Sequence, residues 1–286
     1  MIALSNEVLT AAIDPLGAEL VSLRDAQGRE YMSDGDPAYW TGRAPLLFPI
    51  VGALGGGVYR LNGKQYALPQ HGFARRREFA LVEQAADRAL FRLTDDEGTR
   101  AVYPFAFALD AAFTLADATL GIEITVTNRG DEPMPASFGF HPAFAWPLPG
   151  GGAKGAHRIL FERAEPAALN RIEGGLIGAA DRETPVAGDT LWLHDDLFTH
   201  DALVWEAPAS RSLRYGNEGG PELMIEFPGM PALALWTKPG ANFVCVEPWQ
   251  GHADPVGFTG EIWDKPGMLR LEPGERHAFT MRVTLA

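Results

Sequence analysis

Ile122-Glu123-Ile124-Thr125-Val126-Thr127 alternates aliphatic and polar side chains at every position. In an extended chain successive side chains point to opposite faces, so Ile122, Ile124 and Val126 share one face and Glu123, Thr125 and Thr127 the other. The stretch reads as a β-strand with one face in a core. The same period returns near the end of the chain, where Phe279, Met281, Val283 and Leu285 alternate with Thr280, Arg282 and Thr284. Val58 to Leu68 reads as a hairpin, because Asn62-Gly63 supplies the two positive-φ residues that a tight type I′ turn requires.

Working outward, Pro and Gly punctuate the sequence at short intervals: Gly55-Gly56-Gly57, Gly130, Pro149 to Gly152, Gly174-Gly175, Gly219-Gly220, Gly229, Gly240 and Gly274. That spacing is expected of many short strands joined by turns, and no long helical period interrupts it. The pattern predicts an all-β protein, a β-sandwich, with residues 1–286 as a single domain. Pro149 to Gly155 has the composition of a linker, but the strand patterns on its two sides are alike, so it is read as a flexible loop within that domain. No fixed-period repeat points to a propeller or solenoid.

Composition narrows the function classes. Nearly half of the residues are apolar and about a fifth are charged, as in ordinary globular proteins. A formal net charge of -13 disfavours a nonspecific nucleic-acid binder, which needs basic surface to displace counterions from phosphates. Cys245 is the single cysteine, so no intrachain disulfide forms, consistent with a reducing cytoplasm. No secretory signal opens the chain and no apolar run reaches the length of a membrane helix. The expectation is a cytoplasmic protein, monomer or homodimer, with neither membrane nor nucleic acid as partner.

Three segments set one ionisable residue among Gly, Pro and aromatic residues: Leu68-Pro69-Gln70-His71-Gly72-Phe73-Ala74-Arg75, Ser137-Phe138-Gly139-Phe140-His141-Pro142-Ala143-Phe144, and Phe243-Val244-Cys245-Val246-Glu247-Pro248-Trp249-Gln250-Gly251. Each also has a plain structural reading. Taken singly, His71 or His141 fits a packed, hydrogen-bonded core ring, and Glu247 fits an ion pair at a strand end. On a strand, however, Glu247 shares a face with Phe243 and Cys245, and a carboxylate continuing an apolar face carries a desolvation cost unless it is paired or used. Together a carboxylate and two imidazoles are what reversible opening of a hemiacetal ring needs. A base takes the proton of the anomeric hydroxyl, an acid protonates the ring oxygen, the C1–C2 bond rotates, and closure on the other face gives the second anomer, with no metal or redox centre.

Six stretches in order carry a family resemblance: Pro45-Leu46-Leu47-Phe48-Pro49-Ile50-Val51-Gly52, His71-Gly72-Phe73-Ala74-Arg75, the phenylalanine-flanked His141, Asp201-Ala202-Leu203, Trp236-Thr237-Lys238-Pro239 and Glu247-Pro248-Trp249-Gln250-Gly251. Over nearly its whole length the chain resembles the aldose 1-epimerase (galactose mutarotase) family, in particular its LacX-like and hexose-6-phosphate epimerase members. The resemblance implies a large antiparallel β-sandwich, the galactose mutarotase-like supersandwich, and a cofactor-free isomerase acting on a small sugar or sugar phosphate. It assigns Glu247 as general base, His141 as general acid and His71 as the group that holds or polarises the ring oxygen. Arg75 would bind a hydroxyl or phosphate oxygen and Asp201 the ring hydroxyls, although Asp201 before an apolar strand also fits a turn. Trp40, Phe144, Trp236 and Trp249 are candidates to stack on a sugar face, with Trp236 and Trp249 expected in the site. One departure concerns the substrate: after the Pro-Ile-Val-Gly stretch many relatives have an arginine, where this chain has Ala53.

Other features are weighed against this reading. If Arg75-Arg76-Arg77 is extended, at most two of its side chains share a target, and Arg76 and Arg77 are expected to be solvated. His194 and His200 flank Asp195, Asp196 and Asp201 without a metal-binding motif, so no metal is expected. His252 is placed at the pocket or a loop cap, and His157 and His277 on the surface. Gly55-Gly56-Gly57 lacks the context of a phosphate loop. Two other classes stay open: a noncatalytic carbohydrate-binding or sensing protein, which would not need Glu247 and His141 as an acid–base pair, and a glycoside hydrolase or lyase, for which Asp201 with Glu247 could form a carboxylate pair.

Overall fold

A computed structural model of the protein describes residues 1–286. Ile122 to Thr127 lies within the strand Thr119–Asn128, in which Ile122, Ile124 and Val126 are buried and Glu123 is exposed. This strand pairs antiparallel with Phe107–Ala116 on one side and with Arg276–Leu285 on the other. The second partner carries the other alternating pattern and buries Phe279, Met281 and Val283. All three belong to a nine-stranded antiparallel sheet bounded by Thr190–Trp192 and Ala80–Gln84.

A seven-stranded sheet packs against it. Its path runs Phe138–Gly139, Phe243–Gln250, Ala232–Trp236, Leu203–Trp205, Leu169–Glu173 and Leu176–Arg182, and Ala143–Ala145 also pairs with Phe243–Gln250. Aromatic side chains bridge the two sheets: Phe138 stacks on Phe279 at 4.9 Å, and Phe161 meets the edge of Trp205 at 5.7 Å. The fold is therefore a large antiparallel sandwich, with Glu97–Val102 as its one α-helix. No helix is long and apolar enough to cross a membrane.

Unlike the outer strands, the centre of the seven-stranded sheet is buried on both faces, and its two faces differ in side-chain size. Leu233, Leu235, Val244, Val246, Leu203 and Trp205 fill the main core. The alternate positions Ala232, Ala234 and Val204 lie on the other face in a smaller cluster with Leu47, Val51 and Ala253, while Phe243 and Cys245 continue that face beside Trp236. Alanines in mid-sheet leave room that bulkier residues would fill, so this face is hollowed where the core face is packed.

The Val58–Leu61 and Lys64–Ala67 strands form the expected hairpin, with Asn62 at φ +53° and Gly63 at φ +75°. The Gly-rich stretch after Pro149 is a mostly exposed loop that curls over His157. That histidine, expected on the surface, is fully buried. The loop explains why: the Leu148 N–H donates to His157 Nε2 at 3.0 Å, and Nδ1 lies 3.2 Å from the Ala153 carbonyl, so both ring nitrogens have partners away from water.

Because Phe279 ties the sheets through Phe138, Phe279→Ala is expected to cost about 3–5 kcal/mol of stability. Urea denaturation would show this as a lower midpoint, and a loss below about 1 kcal/mol would contradict the inter-sheet role.

Candidate active site

Phe243–Gln250 places Glu247 on the hollowed face, between Cys245 and Trp249, as period two requires. The carboxylate side chain is 2% exposed. His141 is brought beside it by backbone pairing. The Phe140 N–H donates to the Pro248 carbonyl and the Val246 N–H to the Pro142 carbonyl, both at 3.1 Å, which presses the Phe140-His141-Pro142 segment against the strand. The result is a His141 Nε2 to Glu247 Oε2 distance of 3.1 Å.

His71 reaches the same place through an unusual backbone. It sits at φ +66°, a left-handed conformation uncommon for a residue with a side chain, followed by Gly72 at φ +69°. Gly72 permits the approach, since a Cβ there would lie 2.2 Å from the Phe48 carbonyl oxygen. His71 and Gly52 then bond reciprocally: the His71 N–H donates to the Gly52 carbonyl at 2.9 Å, and the Gly52 N–H donates to His71 Nδ1 at 3.1 Å. With Nδ1 an acceptor, the neutral ring carries its proton on Nε2. The His71 and His141 rings stand perpendicular at 5.7 Å.

The Arg75 segment is not extended, as the sequence reading had it; Ala74–Arg76 forms a single 3₁₀ turn. The turn sends Arg75 inward, leaves Arg76 exposed and sets Arg77 3.1 Å from Asp96. Arg75 donates to the Gln70 carbonyl at 3.0 Å and has no carboxylate within ion-pairing distance. Asp201 is both a turn residue and a site residue. It adopts φ +74°, its Oδ1 accepts from the Ala202 N–H at 2.8 Å, and it lines the cavity.

Glu247, His141, His71, Arg75, Asp201, Trp236 and Trp249 all line one cavity of about 380 Å³. Trp40 lines it too, 4.9 Å from the His141 ring, whereas Phe144 lies in the main core. The remaining wall includes Gln70, Ile172, Ile177, Val204 and Ala253. Sequence reasoning assigned none of these a role. Ile172 and Ile177 arrive on the Leu169–Glu173 and Leu176–Arg182 hairpin, and no residue pattern in that hairpin marks it as a wall of this cavity. Ala53 turns its methyl toward the hairpin tip: a Cβ on Gly175 would sit 3.5 Å away.

Burial dominates the electrostatics. It pushes the Glu247 carboxyl well above its ordinary value, aided by the negative charge of Asp201 and opposed by the nearby Trp249 indole, which stands without a formed hydrogen bond. Burial drives His141 down to about 3, and depresses His71 with help from His141 and Arg75. Both partners of the 3.1 Å contact are thus pushed toward their neutral forms, a carboxyl that keeps its proton beside a neutral imidazole. Arg75 Nε, His141 Nδ1 and Trp249 Nε1 are buried without any hydrogen-bond partner, three orphans in one cavity wall. His141, Cys245 and Glu247 could in principle hold a metal, with ligand atoms within 4.8 Å of one another. Burial and Glu247 raise the Cys245 thiol well above its ordinary value, however, which opposes the thiolate that ligation requires. His194 and His200 join no such cluster. His252 is buried outside the cavity wall, with Nδ1 2.8 Å from the Ala253 carbonyl, and His277 is exposed as expected.

A doubly buried antiparallel sheet presenting a carboxyl–imidazole pair to a half-open cavity is the setting for acid–base chemistry on a small polar molecule. The chain belongs to the aldose 1-epimerase family, whose model matches residues 1–284. It is 33% identical to the chromosomal protein LacX of Lactococcus lactis over 99% of each chain. Among solved structures it is similar to a galactose mutarotase related enzyme from Lactobacillus acidophilus (29% identity, TM-score 0.92, 100% of this chain and 97% of that one). A galactose mutarotase-like protein from Lactobacillus casei matches at 28% identity and TM-score 0.90, with both chains fully covered. The fold is thus galactose mutarotase-like.

The two opposed shifts give stability a pH signature. For His141 the folded value of about 3 lies below the ordinary 6.5. Its contribution is therefore complete above about 6.5 and is lost as the pH falls toward 3. Glu247, raised, contributes most below its ordinary 4.5 and loses that contribution as the pH rises through its folded value. Glu247→Gln is accordingly expected to be more stable than wild type near neutral pH, and His141→Asn to lose less stability on acidification. Urea midpoints measured across pH would check both, and parallel curves for all three proteins would refute the two opposed shifts.

Proposed function

We propose that the protein interconverts the α and β anomers of an aldose or aldose phosphate by acid–base opening and closing of the sugar ring. The observation that carries this reading is the 3.1 Å contact between buried Glu247 and His141 within the cavity that also holds His71 and Arg75. A pair that shares one proton can place it on either partner. When it sits on the imidazole, the same contact offers a carboxylate base and an imidazolium acid at once, which is the state ring opening uses.

In this reading Glu247 takes the proton of the anomeric hydroxyl while His141 protonates the ring oxygen. His71, its Nε2 proton fixed by the Gly52 N–H on the opposite nitrogen, donates a hydrogen bond to that oxygen. After rotation about C1–C2 the transfers reverse, so the pair ends in its starting protonation state. Arg75 and Asp201 hold exocyclic oxygens, and Trp40, Trp236 and Trp249 offer faces to the apolar side of the ring. The unpaired guanidinium of Arg75 supports a hydroxyl-rich or phosphorylated sugar equally. A noncatalytic sugar binder would gain nothing from burying a carboxyl against an imidazole, and that cost favours catalysis.

Anomer exchange followed by NMR, with glucose, galactose and their 6-phosphates, tests the proposal and selects the substrate. Glu247→Gln and His141→Asn are each expected to lower kcat by about 10²- to 10⁴-fold. Wild-type protein that accelerates none of a broad panel of aldoses, or a Glu247→Gln variant with full activity, would end this reading.

A further inference from the structure

Behind the cavity wall lies a second buried charge pair outside the proposed chemistry. Lys265 is 3% exposed and Asp254 4%. Their Nζ to Oδ1 distance is 2.7 Å. A buried ion pair seldom adds net stability over apolar residues of the same size, so its presence calls for another use.

Asp254 has three further bonds, two to the 52–55 loop and one to Ile177 of the cavity wall. Its Oδ2 accepts from the Gly55 N–H at 2.8 Å. Its own N–H donates to the Ala53 carbonyl at 2.8 Å, and its carbonyl accepts from the Ile177 N–H at 2.9 Å. The loop it grips begins at Gly52, whose N–H donates to His71 Nδ1. Gly52 is itself seated on the residue before Asp254: it stands at φ +72°, and a Cβ on it would lie 2.6 Å from the Ala253 backbone nitrogen. A continuous set of contacts therefore runs from Lys265 through Asp254 and the 52–55 loop to the nitrogen that decides which side of the His71 ring carries the proton.

We infer that Asp254, held by Lys265, is a positioning residue that fixes the Gly52 N–H on His71 Nδ1 and thereby keeps the His71 proton on Nε2, the nitrogen that lies 3.3 Å from the Gln70 side-chain amide. Lys265 neutralises the carboxylate so that it can stay buried as an acceptor for Gly55. The effect on turnover rests on the anomer-exchange reading, whereas the effect on the His71 ring does not.

The test replaces the pair without stranding a charge. Asp254→Leu with Lys265→Met keeps the branching of the aspartate, at a larger volume, and nearly the volume of the lysine, and removes the acceptor for Gly55. Nitrogen NMR of the imidazoles in wild type should show His71 with an unprotonated Nδ1 and a protonated Nε2. In this double variant the two His71 nitrogens are expected to move toward averaged signals, and kcat for anomer exchange to fall by about 10- to 100-fold with KM nearly unchanged. Asp254→Asn with Lys265→Met, which retains an oxygen for Gly55, should restore both readouts. Should the leucine variant not fold, Asp254→Ser with Lys265→Met, whose hydroxyl stops one bond short of Gly55, carries the same expectation. Wild-type His71 signals in a folded variant lacking the acceptor would overturn the inference, as would equal losses in the leucine and asparagine variants. Wild-type protein without anomer exchange would overturn the proposed function instead, leaving the ring readout to decide this one.

Discussion

Glu247 sits on a strand that has no solvent-facing side. In a sheet with one wet face a carboxylate in this register would simply point to water. Here Phe243–Gln250 packs Val244 and Val246 into the sandwich core and carries Phe243, Cys245, Glu247 and Trp249 on a face that is also covered. Desolvation of that one carboxyl orders much of what surrounds it. It raises the affinity of the group for a proton, and the imidazole at 3.1 Å, itself desolvated, is held in its neutral form beside it.

The covered face must then be built so that a ligand can replace water. Ala232 and Ala234 alternate with Leu233 and Leu235, so one strand supplies a full core on one side and a hollow on the other. The lid over the hollow is made of segments without regular structure, and these are where the backbone departs from ordinary conformations. His71 and Asp201 take left-handed conformations while lining the cavity, and Gly52 and Gly72 make approaches that no Cβ would survive. The strained positions belong to the lid and the rigid ones to the sheet, the division expected when a fixed scaffold presents groups that must be aimed.

That division also explains what could be read from the chain before its structure. Period-two runs such as Ile122 to Thr127 and Phe279 to Leu285 express strand geometry directly, and the Asn62-Gly63 turn encodes its own dihedrals. Glu247 was legible because it breaks an apolar face. His71, Arg75 and His141 stood out through their aromatic and glycine surroundings, and the resemblance gathered them into one site. The conformation of Arg75-Arg76-Arg77 was misread because three like residues carry no period, and a 3₁₀ turn of that length leaves no repeat. His157 was misjudged because its partners are backbone groups of the loop between Leu148 and Ala153, which no side-chain pattern announces. The Ile172 and Ile177 wall was invisible for the complementary reason: it arises from how a hairpin docks, through Asp254 and Ala53, onto a distant part of the chain.

Ala53 brings these strands of argument together. At this point of the lid many family members are expected to have an arginine, and here a methyl group rests near the hairpin tip at Gly175. The main chain of Ala53 is nonetheless held, its carbonyl accepting from the Asp254 N–H, two residues before the Gly55 amide that donates to the carboxylate of the same aspartate. Side chain and backbone at this site can therefore vary independently. A bulky cation could be exchanged for a methyl without disturbing the Gly52 N–H that fixes the His71 ring, because the loop is anchored through its peptide groups. In the reading proposed above, such an arrangement would let the rim change with the sugar while Glu247 and His141 on the sheet keep their places, and Arg75, which donates to the Gln70 carbonyl and has no carboxylate partner, would be the cation that meets an incoming oxygen or phosphate.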